Sequence, residues 1–402
     1  MKNISRRNFI KKSGLATAGT MMVPMFLRAF GNQPNLIQNS NKKLVIIQFS
    51  GGNDGLNAIV PYTNDAYYKN RPTIGVKASS VLKATDELGF NPNLKVLRSL
   101  YDNGEVSIIN SIGYPDPDRS HFRSMDIWHT ASDANEFLST GWLGRYLDGN
   151  CVNCDNAHHA IEVDDTLCLA LKGEQMSGFA MRDPKRLHRT TNNKAVKAVA
   201  SHHHDHEHEE NVAYLYKTLA NTISSADYLH EKSKIYTSKG TYPKGKLGGE
   251  LKQVAELIIS GSDTQIYYIT IGGFDTHNNQ VNRQTPLFKA YSEAVDAFVK
   301  DLKANNKWND TLVMTFSEFG RRVAENGSKG TDHGKGNNLY LMGGNLKKAG
   351  FYNGAPDLVN LDNGDLKYQV DFRRVYATVL QDWLKNTDEN VLRRQFKSLG
   401  IV

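Results

Sequence analysis

Four times along this chain a short continuous run of β-branched and aromatic residues ends in a polar or glycine-rich segment. No other feature limits the fold as much. Leu44-Val45-Ile46-Ile47-Gln48-Phe49 runs into Ser50-Gly51-Gly52-Asn53-Asp54-Gly55, and Val106-Ser107-Ile108-Ile109-Asn110-Ser111 runs into Ile112-Gly113. Gln265-Ile266-Tyr267-Tyr268-Ile269-Thr270 leads to Gly272-Gly273-Phe274-Asp275, and Thr311-Leu312-Val313-Met314-Thr315-Phe316 leads to Ser317-Glu318. Runs that are apolar at successive positions, rather than alternating, belong to strands buried on both faces. Helical patterns separate them, such as the stripe Leu287, Tyr291, Ala294, Val295, Phe298 and Leu302. The expected fold class is therefore α/β, a large, mostly parallel sheet with helices on both faces. Such sheets bind their ligands beyond the carboxyl ends of the strands.

Charge adds little to the list of partners. The formal net charge is +7, but Lys2, Arg6, Arg7, Lys11, Lys12 and Arg28 sit in residues 1–30 without a single acid, and the rest of the chain carries +1. That balance argues against nucleic acid. Ser5-Arg6-Arg7-Asn8-Phe9-Ile10-Lys11-Lys12, followed by a weakly apolar stretch from Gly14 to Leu27, reads as a twin-arginine signal over 1–30. The expected partner is the twin-arginine export machinery, and the expected destination is periplasmic or extracellular. No later run approaches the roughly 18 apolar residues of a membrane span. A polar linker at 31–43 leads to a single domain at 44–390, with an elaboration or cap at about 150–250 and a tail at 391–402. Cys151 and Cys154 form a C-x-x-C, open to a local disulfide or to zinc, and Cys168 is left over. Ser201 to Glu210 is a histidine-rich tract, open to a solvated loop or to loose metal binding.

Residues able to do chemistry collect at the strand ends. Asp54 leaves the first run in a glycine-rich turn, where Asn53-Asp54-Gly55 is also ordinary turn chemistry and a structural Asp the other reading. Asp275 and His277, two apart after the third run, can both turn toward one ion, a mixture suited to zinc, manganese or iron; a capping Asp and a surface His are the other reading. Glu318 follows the fourth run directly, and Asp332-His333 sits between glycines in the loop beyond it. Acids and imidazoles gathered in a cleft are costly unless a cation or each other neutralises them. Side chains of Asp54, Asp275, Glu318 and His333 are therefore expected to converge at one sheet edge.

Together, Gly51-Gly52-Asn53-Asp54-Gly55-Leu56-Asn57, Gly273-Phe274-Asp275-Thr276-His277, Ser317-Glu318-Phe319-Gly320-Arg321 and Gly330-Thr331-Asp332-His333-Gly334 resemble the DUF1501 family of exported bacterial proteins. The resemblance runs from about Leu44 to Leu384 and includes Arg119-Ser120-His121-Phe122. That family is similar to the alkaline phosphatase and sulfatase superfamily, which implies an alkaline phosphatase-like α/β sheet with divalent metals at the strand ends. Zinc stands first among these, with manganese, calcium and magnesium as alternatives. Carried over residue by residue, the resemblance implies Asp54, Asp275, His277, Glu318, Asp332 and His333 as the metal set, with Asp332 either a ligand or the residue that orients His333. Phe319 departs from it, standing where a histidine ligand is expected. Ser120 fills the place of the nucleophile, with His121 beside it, although a helix cap is the other reading of Ser120. Arg321, with Arg119 and Arg322, is a candidate oxyanion holder. The implied function is a metal-dependent hydrolase acting on a phosphate or sulfate ester of a small molecule or polymer. The alternative is a catalytically degenerate binding or assembly protein that keeps the fold and one ion.

Overall fold

Each of the four apolar runs is a strand of one nine-stranded sheet. The strands are β1 (Lys43–Phe49), β2 (Val106–Gly113), β3 (Ala160–Glu162), β4 (Phe179–Ala180), β5 (Ile266–Ile271), β6 (Thr311–Ser317), β7 (Asn337–Met342), β8 (Gly350–Phe351) and β9 (Val370–Asp371). This computed structural model describes residues 41–149, 157–200, 210–387 and 389–402. The expected signal at 1–30, most of the linker, Cys151 with Cys154, and the histidines at 202–208 lie outside the described residues.

The sheet order is β8-β2-β7-β6-β1-β5-β3-β4, with β9 also pairing with β2. Strand β1 is parallel to both neighbours, Phe49 lying opposite Ile271 of β5 and Ser317 of β6. Strand β7 runs antiparallel between β2 and β6, and all other neighbours are parallel. Reversing direction twice across β7 leaves β2 parallel to β6. The carboxyl ends of β1, β2, β5 and β6 therefore share one edge, and the loops that follow them open on the same side.

Unbroken apolar runs form these strands because alternate residues feed two separate cores. Leu44 and Ile46 pack with Trp128, Trp142, Phe316, Phe372 and Tyr376 on one face. Val45, Ile47 and Phe49 pack on the other against the helices α3 (Lys246–Ile259) and α4 (Gln280–Ala304). Full burial contributes about 2 kcal/mol for each such side chain, so β1 alone brings roughly 10 kcal/mol before chain entropy is counted. Helix α4 begins seven residues before Leu287. The added turns are held by Gln280 and Gln284, buried on the same face as Tyr291, rather than by apolar contacts. Two shorter helices matter for the site: α1 (Gly55–Ala58), capped by Asp54, and α2 (His121–Thr130), which begins beyond the end of β2. No helix among the described residues is long and apolar enough to cross a membrane.

Candidate functional site

Three loops from the shared edge bring imidazoles to one carboxylate. Asp275, in the loop after β5, has its Oδ1 3.0 Å from His277 Nε2, 3.4 Å from His333 Nε2 and 3.6 Å from His121 Nε2. His277 Nε2 and His333 Nε2 are themselves 2.9 Å apart. His121, Asp275 and His333 offer ligand atoms that all lie within 4.8 Å of one another. His121 begins α2, so β2 supplies a ligand candidate along with β5 and the loop between β6 and β7.

Each imidazole is oriented from behind. His121 Nδ1 meets Glu318 Oε1 at 2.9 Å, and Glu318 is fully buried. The same carboxylate accepts the Gly51 N–H at 2.8 Å and the Ser317 hydroxyl at 3.1 Å. His333 Nδ1 donates to the carbonyl of Arg119 at 2.8 Å, and His277 Nδ1 faces Asp332 Oδ1 at 3.3 Å. Fixing the far nitrogen of a ring turns its Nε2 toward the centre, as partners of metal-bound histidines do. These partners also shift the titrations. The hydrogen bond that His121 donates to Glu318 raises its titration, whereas burial lowers that of His333. Burial would push the Asp275 carboxyl up, but the hydrogen bond and charge of Arg321, helped by His277 and His121, hold it at about 2.

Arg321, expected among the catalytic residues, is buried among the loops that carry the cluster. Its side chain is completely buried, and each of its three nitrogens donates to a loop carbonyl. Nε donates to the Gly52 carbonyl at 2.6 Å and Nη1 to Thr331 at 2.8 Å. Nη2 reaches the carbonyls of Gly51 and Phe274 and Asp275 Oδ1, the last at 2.7 Å. One guanidinium thus rivets the loops after β1 and β5 and the loop between β6 and β7.

Asp54 is likewise engaged elsewhere. Its Oδ2 accepts from Arg71 Nη1 and Gln280 Nε2, each at 2.5 Å, and its Oδ1 caps α1 through the Leu56 N–H. Gln280 Oε1 in turn accepts from Thr276 and Thr331, the residues beside the ligand candidates. Asp54 therefore stands one step behind the cluster. Glu318 meets the cluster through His121, and Asp332 through His277. Ser120 occupies the cap position of α2 without making a side-chain cap, and is exposed next to His121. Phe319 is buried, its ring 4.9 Å from that of His121 and 4.7 Å from that of His333. His121, expected beside the nucleophile and outside the metal set, brings its Nε2 to the ligand candidates. Its one signal was a histidine in the first turn of a helix that follows a buried strand.

The donors suit a divalent cation. Three imidazole nitrogens and one carboxylate oxygen form the mixture typical of zinc. His121 Nε2 is buried with no hydrogen-bond partner, a costly state that a cation would relieve.

No curated protein matches the sequence. Among solved structures, the fold is similar to the lipoteichoic acid synthase LtaP from Listeria monocytogenes, at 8% identity and a TM-score of 0.36 over 79% of this chain and 69% of that one. The C-terminal periplasmic domain of EcEptC from Escherichia coli, in complex with Zn, matches at 9% identity and a TM-score of 0.37 over 78% and 73%. A protein in the alkaline phosphatase superfamily from Vibrio parahaemolyticus matches at 11% identity and a TM-score of 0.33 over 85% and 69%. His121, Asp275, His277 and His333 all fall within residues 109–396, the stretch that matches the protein family of unknown function DUF1501, and the chain belongs to that family.

Proposed function

We propose that the protein is an exported, metal-dependent hydrolase of a phosphate or sulfate ester, with one divalent cation, zinc first among them, held by Asp275, His277, His333 and His121. The observation that carries this reading is the meeting of three imidazole nitrogens at a single carboxylate oxygen. A cation bound there supplies Lewis acidity for the ester or for a nucleophile. The chain's own groups do the rest. Glu318 holds His121 in the orientation that turns Nε2 to the centre, and Asp332 does the same for His277. Arg321 keeps Asp275 ionised and holds the loops at fixed separation. Ser120 is the nucleophile, its hydroxyl unspent on helix capping.

A second reading, a binding or assembly protein that keeps one ion, draws on Phe319, whose ring covers faces of His121 and His333 where another polar ligand could stand. Metal analysis of the purified protein, with turnover of aryl phosphate and aryl sulfate esters, separates the two. Hydrolase requires zinc at a defined stoichiometry and turnover that His277→Ala and His333→Ala abolish together with metal. Ser120→Ala should keep the metal and lose turnover. Metal without turnover of any ester favours the binding protein.

A further inference from the structure

Two arginines at the rim of the cluster have spare donors and share an anchor. Asp365, buried to 1% exposure, accepts from Arg119 Nη1 at 3.3 Å through Oδ2 and from Arg322 Nε at 3.2 Å through Oδ1. Arg322 also donates to the Asn363 carbonyl. Arg119 thus commits one of a guanidinium's five N–H groups and Arg322 two, and their side chains are 48% and 37% exposed. The remaining donors meet no acceptor among the described residues. Of the nearby acids, Asp362 pairs with Lys335, Asp332 Oδ1 meets His277 and Asn326, and Asp118 Oδ1 accepts the Ser120 N–H.

Both residues border the candidate centre through their backbone. The Arg119 carbonyl receives His333 Nδ1, and the Arg322 N–H donates to the Asp332 carbonyl at 3.0 Å. Neither guanidinium touches a ligand candidate; both point at Asp365 instead. A guanidinium with free edges binds phosphate, sulfate or carboxylate in bidentate fashion, and tethering to a buried carboxylate reduces the entropy lost on binding.

We infer that Arg119 and Arg322, held on Asp365, form a subsite for a second anionic group of the substrate, separate from the ester that is cleaved. This rests on the hydrolase reading and narrows its substrates to esters whose alcohol part carries another phosphate, sulfate or carboxylate.

Calorimetric titration with inorganic phosphate and inorganic sulfate tests it, using full-length protein both stripped with chelator and reloaded with zinc. Wild type should bind the anion with the same affinity in both forms. The double variant R119Q/R322Q should bind at least about tenfold more weakly in both forms, the loss expected for one charge-assisted hydrogen bond, with zinc content unchanged. Arg119→Gln, which removes a single half-exposed contact, should show part of that loss if the double variant does not fold. Equal binding by wild type and variants in stripped protein overturns the inference, as does absence of saturable binding to stripped wild type. A loss confined to zinc-loaded protein overturns it as well, since the arginines would then grip the group at the metal. Turnover of aryl esters is measured separately, so anion binding without any hydrolysis sinks the hydrolase reading while leaving the anion subsite in place.

Discussion

Replacing Arg321 by methionine keeps most of the side-chain volume and removes all of the guanidinium's donors to the loops. Four carbonyls, those of Gly51, Gly52, Phe274 and Thr331, lose their partner. At about 1 kcal/mol net for each hydrogen bond, the expected loss is roughly 4 kcal/mol. The ion pair with Asp275 adds little, because that carboxylate is 47% exposed and solvent screens it. Against the roughly 5–15 kcal/mol that stabilises an ordinary domain, this leaves a folded protein to measure. Urea unfolding of chelator-treated wild type and Arg321→Met, extrapolated to water, reads the difference directly. Arg321→Lys should recover less than half of it, since a point-like ammonium cannot fan across three loops. A loss below about 1 kcal/mol, the value of a surface ion pair, would falsify the rivet and with it the account of how the ligand loops are spaced.

Glu318→Gln removes the charge that orients His121 and should weaken zinc binding about 10–100-fold, as read with a competing chelator; unchanged affinity would mean that His121 is not a ligand. The same pair sets a pH dependence. Because Glu318 raises His121, metal-free protein draws stability from the pair below the ordinary imidazole value of about 6.5 and loses it as pH rises through the raised value. Zinc binding needs His121 unprotonated and strengthens in the opposite direction. Urea unfolding and zinc titration across that range should show the two opposed slopes, and Glu318→Gln should flatten the first. Gly52→Ala places a Cβ 2.2 Å from the Phe319 ring at a residue with φ of +70°. It should cost about 1–3 kcal/mol, and an unaltered melting temperature would show that the ring yields freely.

The long apolar runs became strands because six or seven successive buried residues leave no other home for their backbone. Strand β7, Asn337–Met342, escaped notice: it opens on two asparagines and has only four apolar residues. Its antiparallel placement between β2 and β6 is a matter of long-range pairing that periodicity does not encode. Strands β3, β4, β8 and β9 are two or three residues long and leave no period to read. At the site, Asp275, His277 and His333 were visible as residue types following a strand or flanked by glycine. A structural Asp54 was one of the readings its Asn-Asp-Gly turn left open, but its partners Arg71 and Gln280 were not legible, because nothing in the spacing of those residues announces that they meet. Arg321 and Arg322 are neighbours of identical chemistry. Only their opposite exposure tells the rivet from the open donor.

The sheet's order also sets a timetable. Both partners of β1 come from the far half of the chain, Phe49 pairing with Ile271 and Ser317, so the central strand has nothing to pair with until those segments exist. At roughly 5–20 residues per second of synthesis, the interval between Phe49 and Ser317 lasts about a quarter of a minute to a minute. Throughout it a strand rich in valine and isoleucine remains exposed, and closing such distant contacts is slow once they are available. In pulsed hydrogen exchange during refolding, amides of β1 should become protected together with those of β6 and later than those of α4. His333 follows β6 in the chain, so a metal ion offered to the nascent protein meets scattered imidazoles, and the proposed coordination pocket cannot form until the sheet has closed.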